Sequence, residues 1–177
     1  MRIKLFLFSL FPLAGCTSLP PPAPPPAIAQ PRLAPMPPPA TQSANWLDRP
    51  ITSGNWELAR DALGSFATFG KPGANADFVV RCILATKGIK LSRAGLVSQI
   101  HGGLMTVRAA DASKTYNVAN DSLAKSYVSV EIPASDPQLD AIAFSRGRFL
   151  VSMDGTNDLV IPDWPEFARV IEDCRGQ

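Results

Sequence analysis

Two guanidinium groups stand two residues apart in Ser145-Arg146-Gly147-Arg148, around a glycine that suits a tight turn. Arginine presents a planar fork of N–H donors that matches carboxylates and phosphates. Two uses follow. One arginine can fork onto a carboxylate such as Glu172 or Asp173 and lock a helix to a strand. Alternatively, the pair offers its donors to an anionic partner: a wall polymer, a lipid headgroup or a protein carboxylate. Ser145, Arg146, Arg148 and Trp164 are therefore the candidate binding residues. Trp56, Trp164 and Phe149 are expected as core anchors, with a binding groove as the alternative.

The other chemistry-bearing residues form no recognisable catalytic set. His101 is the only histidine and lies in Gln99-Ile100-His101-Gly102-Gly103 with no carboxylate or cysteine close in sequence. It is expected as a loop residue, and an enzyme reading requires the fold to bring an acid to it. Gly102-Gly103 and Gly70-Lys71-Pro72-Gly73 lack the strand–loop–helix setting and the Lys-Ser/Thr of a phosphate loop. No G-x-S-x-G or H-E-x-x-H spacing occurs. Asp154-Gly155-Thr156-Asn157-Asp158 is rich in oxygen but lacks the acidic residue that closes a calcium loop, so a hairpin turn explains it. Asp136 and Asp140, one helical turn apart, suit a helix start better than an acid pair. No catalytic residue, metal site or cofactor is expected.

Cysteine chemistry is more informative. Residues 1–16 read M-R-I-K-L-F-L-F-S-L-F-P-L-A-G-C. A basic start, a short apolar run and Leu13-Ala14-Gly15-Cys16 resemble a bacterial lipoprotein signal peptide with its lipobox. The apolar run is too short to span a bilayer, which needs about 20 residues. The resemblance implies cleavage before Cys16 and acylation of its thiol, with several chains giving stable anchoring. Thr17 in place of an aspartate implies release to the periplasmic face of the outer membrane of a Gram-negative envelope. Cys82 and Cys174 are then the two thiols left in an oxidising compartment, where they are expected to pair.

Arg2 and Lys4 belong to the leader. Without them the 17 basic side chains fall to 15, equal to the acidic ones. A neutral mature chain gives no footprint for nucleic acid. Between Pro20 and Pro39 there are 11 prolines in 20 residues. This run favours polyproline II and would reach roughly 60 Å fully extended. The expected organisation is a signal peptide over 1–15, a lipidated cysteine and proline-rich tether over 16–49, and one globular domain over 50–177. Asn45-Trp46-Leu47 is where the tether is expected to begin touching that domain.

The elements that must position these residues are read from periodicity. Phe78, Val80, Cys82 and Leu84 alternate on one face of a central strand, so Arg81 on the other face must reach solvent or a carboxylate. Residues 54–59 are expected as an opening strand with Trp56 and Leu58 inward, a helix capped by Asn55 and running to Leu63 being the alternative. Met105, Val107 and Ala109 alternate, as do Val128, Val130 and Ile132. A short helix is expected near 135–144, capped by Ser135, and a C-terminal helix over 163–174, started by an Asp163–Glu166 capping box. Phe167, Val170, Ile171 and Cys174 give the last helix an apolar stripe that favours pairing of Cys174 with Cys82. The fold class is mostly β (α+β): an antiparallel β-sandwich or partly open β-barrel with a short helix and a C-terminal helix.

The stretch L-D-A-I-A-F-S-R-G-R-F, followed by L-V-I-P-D-W-P-E-F-A-R-V-I-E-D-C-R, resembles a group of uncharacterised small lipoproteins of sphingomonad-type alphaproteobacteria. The resemblance covers roughly residues 50–175 and implies no activity. The layout is distantly similar to the invasion-associated protein B family, whose fuller cysteine pattern is missing here. It is also similar to small β-barrel lysozyme-inhibitor lipoproteins. The expectation is a non-enzymatic binding or structural module whose partners are membrane lipid, through Cys16, and an envelope protein or cell-wall component. The alternatives are an inhibitor of a wall-degrading enzyme and, third, an enzyme built around His101.

Overall fold

The computed structural model describes residues 45–98 and 103–176. These form β1 (Asn55–Asp61), β2 (Gly64–Gly70), β3 (Phe78–Ile83), β4 (Gly88–Ala94), β5 (Gly103–Arg108), β6 (Ser113–Asn120) and β7 (Tyr127–Pro133). Helix α1 (Pro137–Ala143), β8 (Phe149–Met153), β9 (Leu159–Ile161) and α2 (Pro165–Arg175) follow. A single antiparallel sheet runs in the order β1-β2-β3-β4-β7-β6-β5-β8-β9. It curls into a half-barrel, the open-barrel alternative rather than two packed sheets.

Alternation sets which side chains fill the curl. Phe78, Val80 and Cys82 on β3 point inward with Ile89 and Leu91 on β4, Met105 and Val107 on β5, and Val128 and Ile132 on β7. Leu84 lies past the end of β3 and is exposed. Trp56, Phe69, Phe78, Phe149 and Phe167 form a continuous aromatic cluster with ring centroids 5.3–6.4 Å apart. Arg81 faces outward and bonds both oxygens of Asp61 at 2.8 Å. Gly64 is required at the β1–β2 turn: its φ is +144°, and a Cβ would come within 2.5 Å of the Cys82 carbonyl.

Helix α2 lays Phe167, Val170, Ile171 and Cys174 onto the sheet. Cys174 is disulfide-bonded to Cys82, joining the helix to β3. Both helices start one residue later than a reading of their caps predicts. Asp136, not Ser135, caps α1, accepting from the Gln138 amide at 3.0 Å with Pro137 in the first turn. At α2 the N-cap position is Trp164, which makes no side-chain cap bond. The Asp163–Glu166 capping box is therefore absent: Pro165 fixes the first turn after Trp164, so Glu166 is too close to the cap to close a box.

The sheet's two ends are latched at one point. Thr52, just ahead of β1, donates its amide to the Val160 carbonyl at 2.8 Å, and its hydroxyl accepts from the Val160 amide at 3.0 Å. Trp56 Nε1 donates to the Pro162 carbonyl at 2.8 Å. The packing also reaches upstream of residue 50. Trp46 is 7% exposed, in a one-turn 3-10 helix over Trp46–Asp48, and packs against Leu150 and Val160.

Candidate functional site

The site begins where α1 ends. The Phe144 amide bonds back to the Asp140 carbonyl and the Ser145 amide to that of Ile142, each at 3.0 Å. Ser145 is buried. Its hydroxyl accepts from the Ala110 amide at 2.9 Å and donates to the Arg148 carbonyl. Gly147 takes φ +80°, which a side chain rarely tolerates. The result is a braced tip between α1 and β8.

The two arginines part at this tip. Arg148 turns back, its Nη1 donating to the carbonyls of Leu47 at 3.1 Å and Arg49 at 2.9 Å. It locks the domain's first turn to β8 and engages neither Glu172 nor Asp173. Asp173 instead pairs with Arg60 at 2.7 Å and Arg169 at 4.0 Å. The Arg146 side chain is 74% exposed and, among the described residues, pairs only with Asp111, at 3.9 Å. Phe144, which sequence reasoning missed, is 86% exposed beside it. The Asp163 amide bonds the Gly147 carbonyl at 3.4 Å, bringing the lead-in of α2 to the tip. Trp164, next in the chain, is 43% exposed rather than core. An exposed aromatic ring and guanidinium on a hydrogen-bonded turn have the composition of an interface anchor.

The remaining candidates separate. Asp136 bonds Lys114 at 2.6 Å and Asp140 bonds Arg175 at 2.7 Å, so the two carboxylates serve different ion pairs. Residues 154–158 connect β8 to β9 as a hairpin loop. That loop is held by Arg93, a buried cation whose Nη2 donates to Thr156 Oγ1 at 2.8 Å and to the Asn157 carbonyl. Burial lowers the pKa of Arg93, and the charges of Asp158 and Asp77 oppose that shift. Among the described residues, no cluster of three or more His, Cys, Asp or Glu is placed to hold a metal. His101 and Cys16 lie outside the described residues.

A concavity of about 390 Å³ lies on the outer face of β2, β3 and β4, under the loop between β6 and β7. Leu63, Phe66, Val79, Ile83 and Leu123 give it apolar walls. Its charges are matched internally. Arg81 sits 4.1 Å from the Phe66 ring centroid while bonding Asp61, and Lys90 pairs with Asp121. Asp121 also accepts from the Leu123 and Ala124 amides and the Ser129 hydroxyl. Burial pushes its pKa up, but Lys90 and these donors outweigh that and hold it well below the ordinary carboxylate range.

No protein-family model matches the chain, and neither a curated protein nor a solved structure is significantly similar to it.

Proposed function

We propose that this chain is an envelope lipoprotein, anchored by lipid on Cys16 to the periplasmic face of the outer membrane, whose half-barrel is a binding module. The anchoring part rests on the leader and on its resemblance to the lipoproteins named above. A disulfide between Cys82 and Cys174 fits an exported protein. The observation that carries the binding part is the tip itself. Phe144 and Arg146 project from a turn whose backbone is fixed by Ser145. Pre-organisation lowers the entropic cost of docking. The partner is an envelope protein or cell-wall component that offers a carboxylate beside an apolar pocket.

The test uses the full chain in a Gram-negative host. Metabolic labelling with an alkyne palmitate is expected on the wild type and not on Cys16→Ser. A photo-crosslinking residue at position 144 is expected to trap one envelope component, and Arg146→Glu to abolish that adduct without changing the melting temperature. Labelling that persists in Cys16→Ser would sink the anchoring. Adducts no stronger than those from a crosslinker at Lys125 would sink the binding tip.

The exposed basic tip also favours a second reading, inhibition of a wall-degrading glycosidase. Such enzymes carry a pair of carboxylates flanking the scissile bond, which a projecting guanidinium complements. A muramidase turbidity assay separates the readings: stoichiometric inhibition lost in Arg146→Ala supports the inhibitor. Undiminished lysis at excess protein leaves the scaffold reading.

A further inference from the structure

Among the described residues, the sheet has one long edge without a strand partner. At the other edge, β9 is three residues long and is latched to Thr52. Strand β1 is seven residues long, pairs among the described residues only with β2, and is exposed except for Trp56. Unpaired backbone donors and acceptors along such an edge are a template for another strand. Helix α2 stands beside it, joined through Arg60 and Asp173 at 2.7 Å. Between them lies a crevice of about 400 Å³, lined by Leu58 of β1 and by Pro165, Glu166, Ala168, Arg169 and Glu172 of α2.

The crevice has a chemical preference. Leu58 is 46% exposed there, and Pro165 and Ala168 face it with apolar surface. Both nearby arginines, Arg60 and Arg169, spend their charge on Asp173. Glu172 has no ion pair among the described residues, and Glu166 holds its Oε2 away from solvent with no hydrogen-bond partner. Glu166 also forms no ion pair among the described residues, so the crevice carries two carboxylates that a cation complements. The residues from Pro165 to Glu172 span about 10 Å of helix, which matches about three residues of extended chain.

We propose that this crevice takes an extended peptide segment bearing a lysine or arginine, added as a strand along the open edge of β1. Main-chain pairing with β1 supplies the register. An apolar side chain covers Leu58, and a cationic one reaches Glu166 and Glu172. The site is independent of the Phe144–Arg146 tip.

The probe is a fluorescent heptapeptide, Thr-Val-Thr-Lys-Thr-Val-Thr, whose valines and lysine share one face of the strand, titrated by anisotropy against the chain from Thr17 onward, exported so that Cys82 and Cys174 oxidise. Saturable binding is expected. It should weaken at least tenfold in the Glu166→Gln/Glu172→Gln variant, checked by melting to be folded. It should be unchanged in Phe144→Ala/Arg146→Ala, which keeps this site's failure distinct from that of the tip. Methylating one alternating set of peptide nitrogens should abolish binding, while methylating the other set should not, because only one edge of the added strand faces β1. Three outcomes overturn the proposal: no binding at millimolar peptide, equal binding of the Glu-for-Lys peptide, or equal sensitivity to both methylated sets.

Discussion

Arg148 donates through Nη1 to the backbone carbonyl of Leu47 at 3.1 Å, joining residues 101 positions apart. The same nitrogen bonds the Arg49 carbonyl, so one guanidinium fixes the point where the chain enters the domain. Arg148→Ala is expected to cost about 1.5–3 kcal/mol, the range for hydrogen bonds from a charged group. Arg146→Ala should stay within about 0.5 kcal/mol, as for an unsupported surface side chain. Urea denaturation of both variants checks this contrast. Equal costs would return Arg146 to a structural role.

Trp46 predicts the working boundary of the domain. Its ring is buried against Leu150 and Val160, so Trp46→Ala should destabilise by about 3 kcal/mol or more. A chain begun at residue 50 should melt well below one begun at residue 40. Coincident melting curves for the two would show that the 3-10 turn contributes nothing.

The Cys82–Cys174 bond spans a sequence separation of 92 and ties β3 to α2. The chain-entropy model assigns a loop of that size about 4–5 kcal/mol. The double variant Cys82→Ser/Cys174→Ser is expected to fall by up to that amount in equilibrium unfolding. Loss of α2 amide protection should precede loss of the β3–β4 hairpin in hydrogen exchange. Wild-type stability unchanged by reductant would contradict this.

Acid should loosen the outer-face groove first. Asp121 has a folded pKa below its unfolded value of about 3.9. Its contribution is therefore fully present above that value and is lost as pH falls toward the folded one. Asp121→Ala removes the partner of Lys90 and is expected to cost about 3 kcal/mol or more at neutral pH. It should also flatten the fall in stability below pH 4. Asp163 acts in the opposite sense, because burial raises its pKa. An unaltered acid limb in Asp121→Ala would assign acid sensitivity elsewhere.

Much of the fold was legible because strand and hairpin signals are local. Alternation of Phe78, Val80 and Cys82 identified the buried face of β3, and Arg81 met a carboxylate as its outward position demanded. Asp154-Gly155 marked the β8–β9 loop, and Phe167, Val170, Ile171 and Cys174 marked the inner stripe of α2. Leu58 shows the limit of alternation. It shares its face with Trp56, yet the edge position of β1 leaves it open to the crevice.

Strand positions and the turn at Gly147 follow from residue type and short-range period, and the pairing of Cys82 with Cys174 from their being the two cysteines beyond Cys16. Contacts between distant segments decide which of the two arginines is exposed. Arg146 and Arg148 are the same residue type two positions apart. Only the return of Leu47 and Arg49 to the start of β8 gives Arg148 its acceptors and leaves Arg146 in solvent. The open edge of β1 beside α2 has the same origin. Strand order and helix placement arise from contacts between distant segments, and periodicity within one segment carries no record of them.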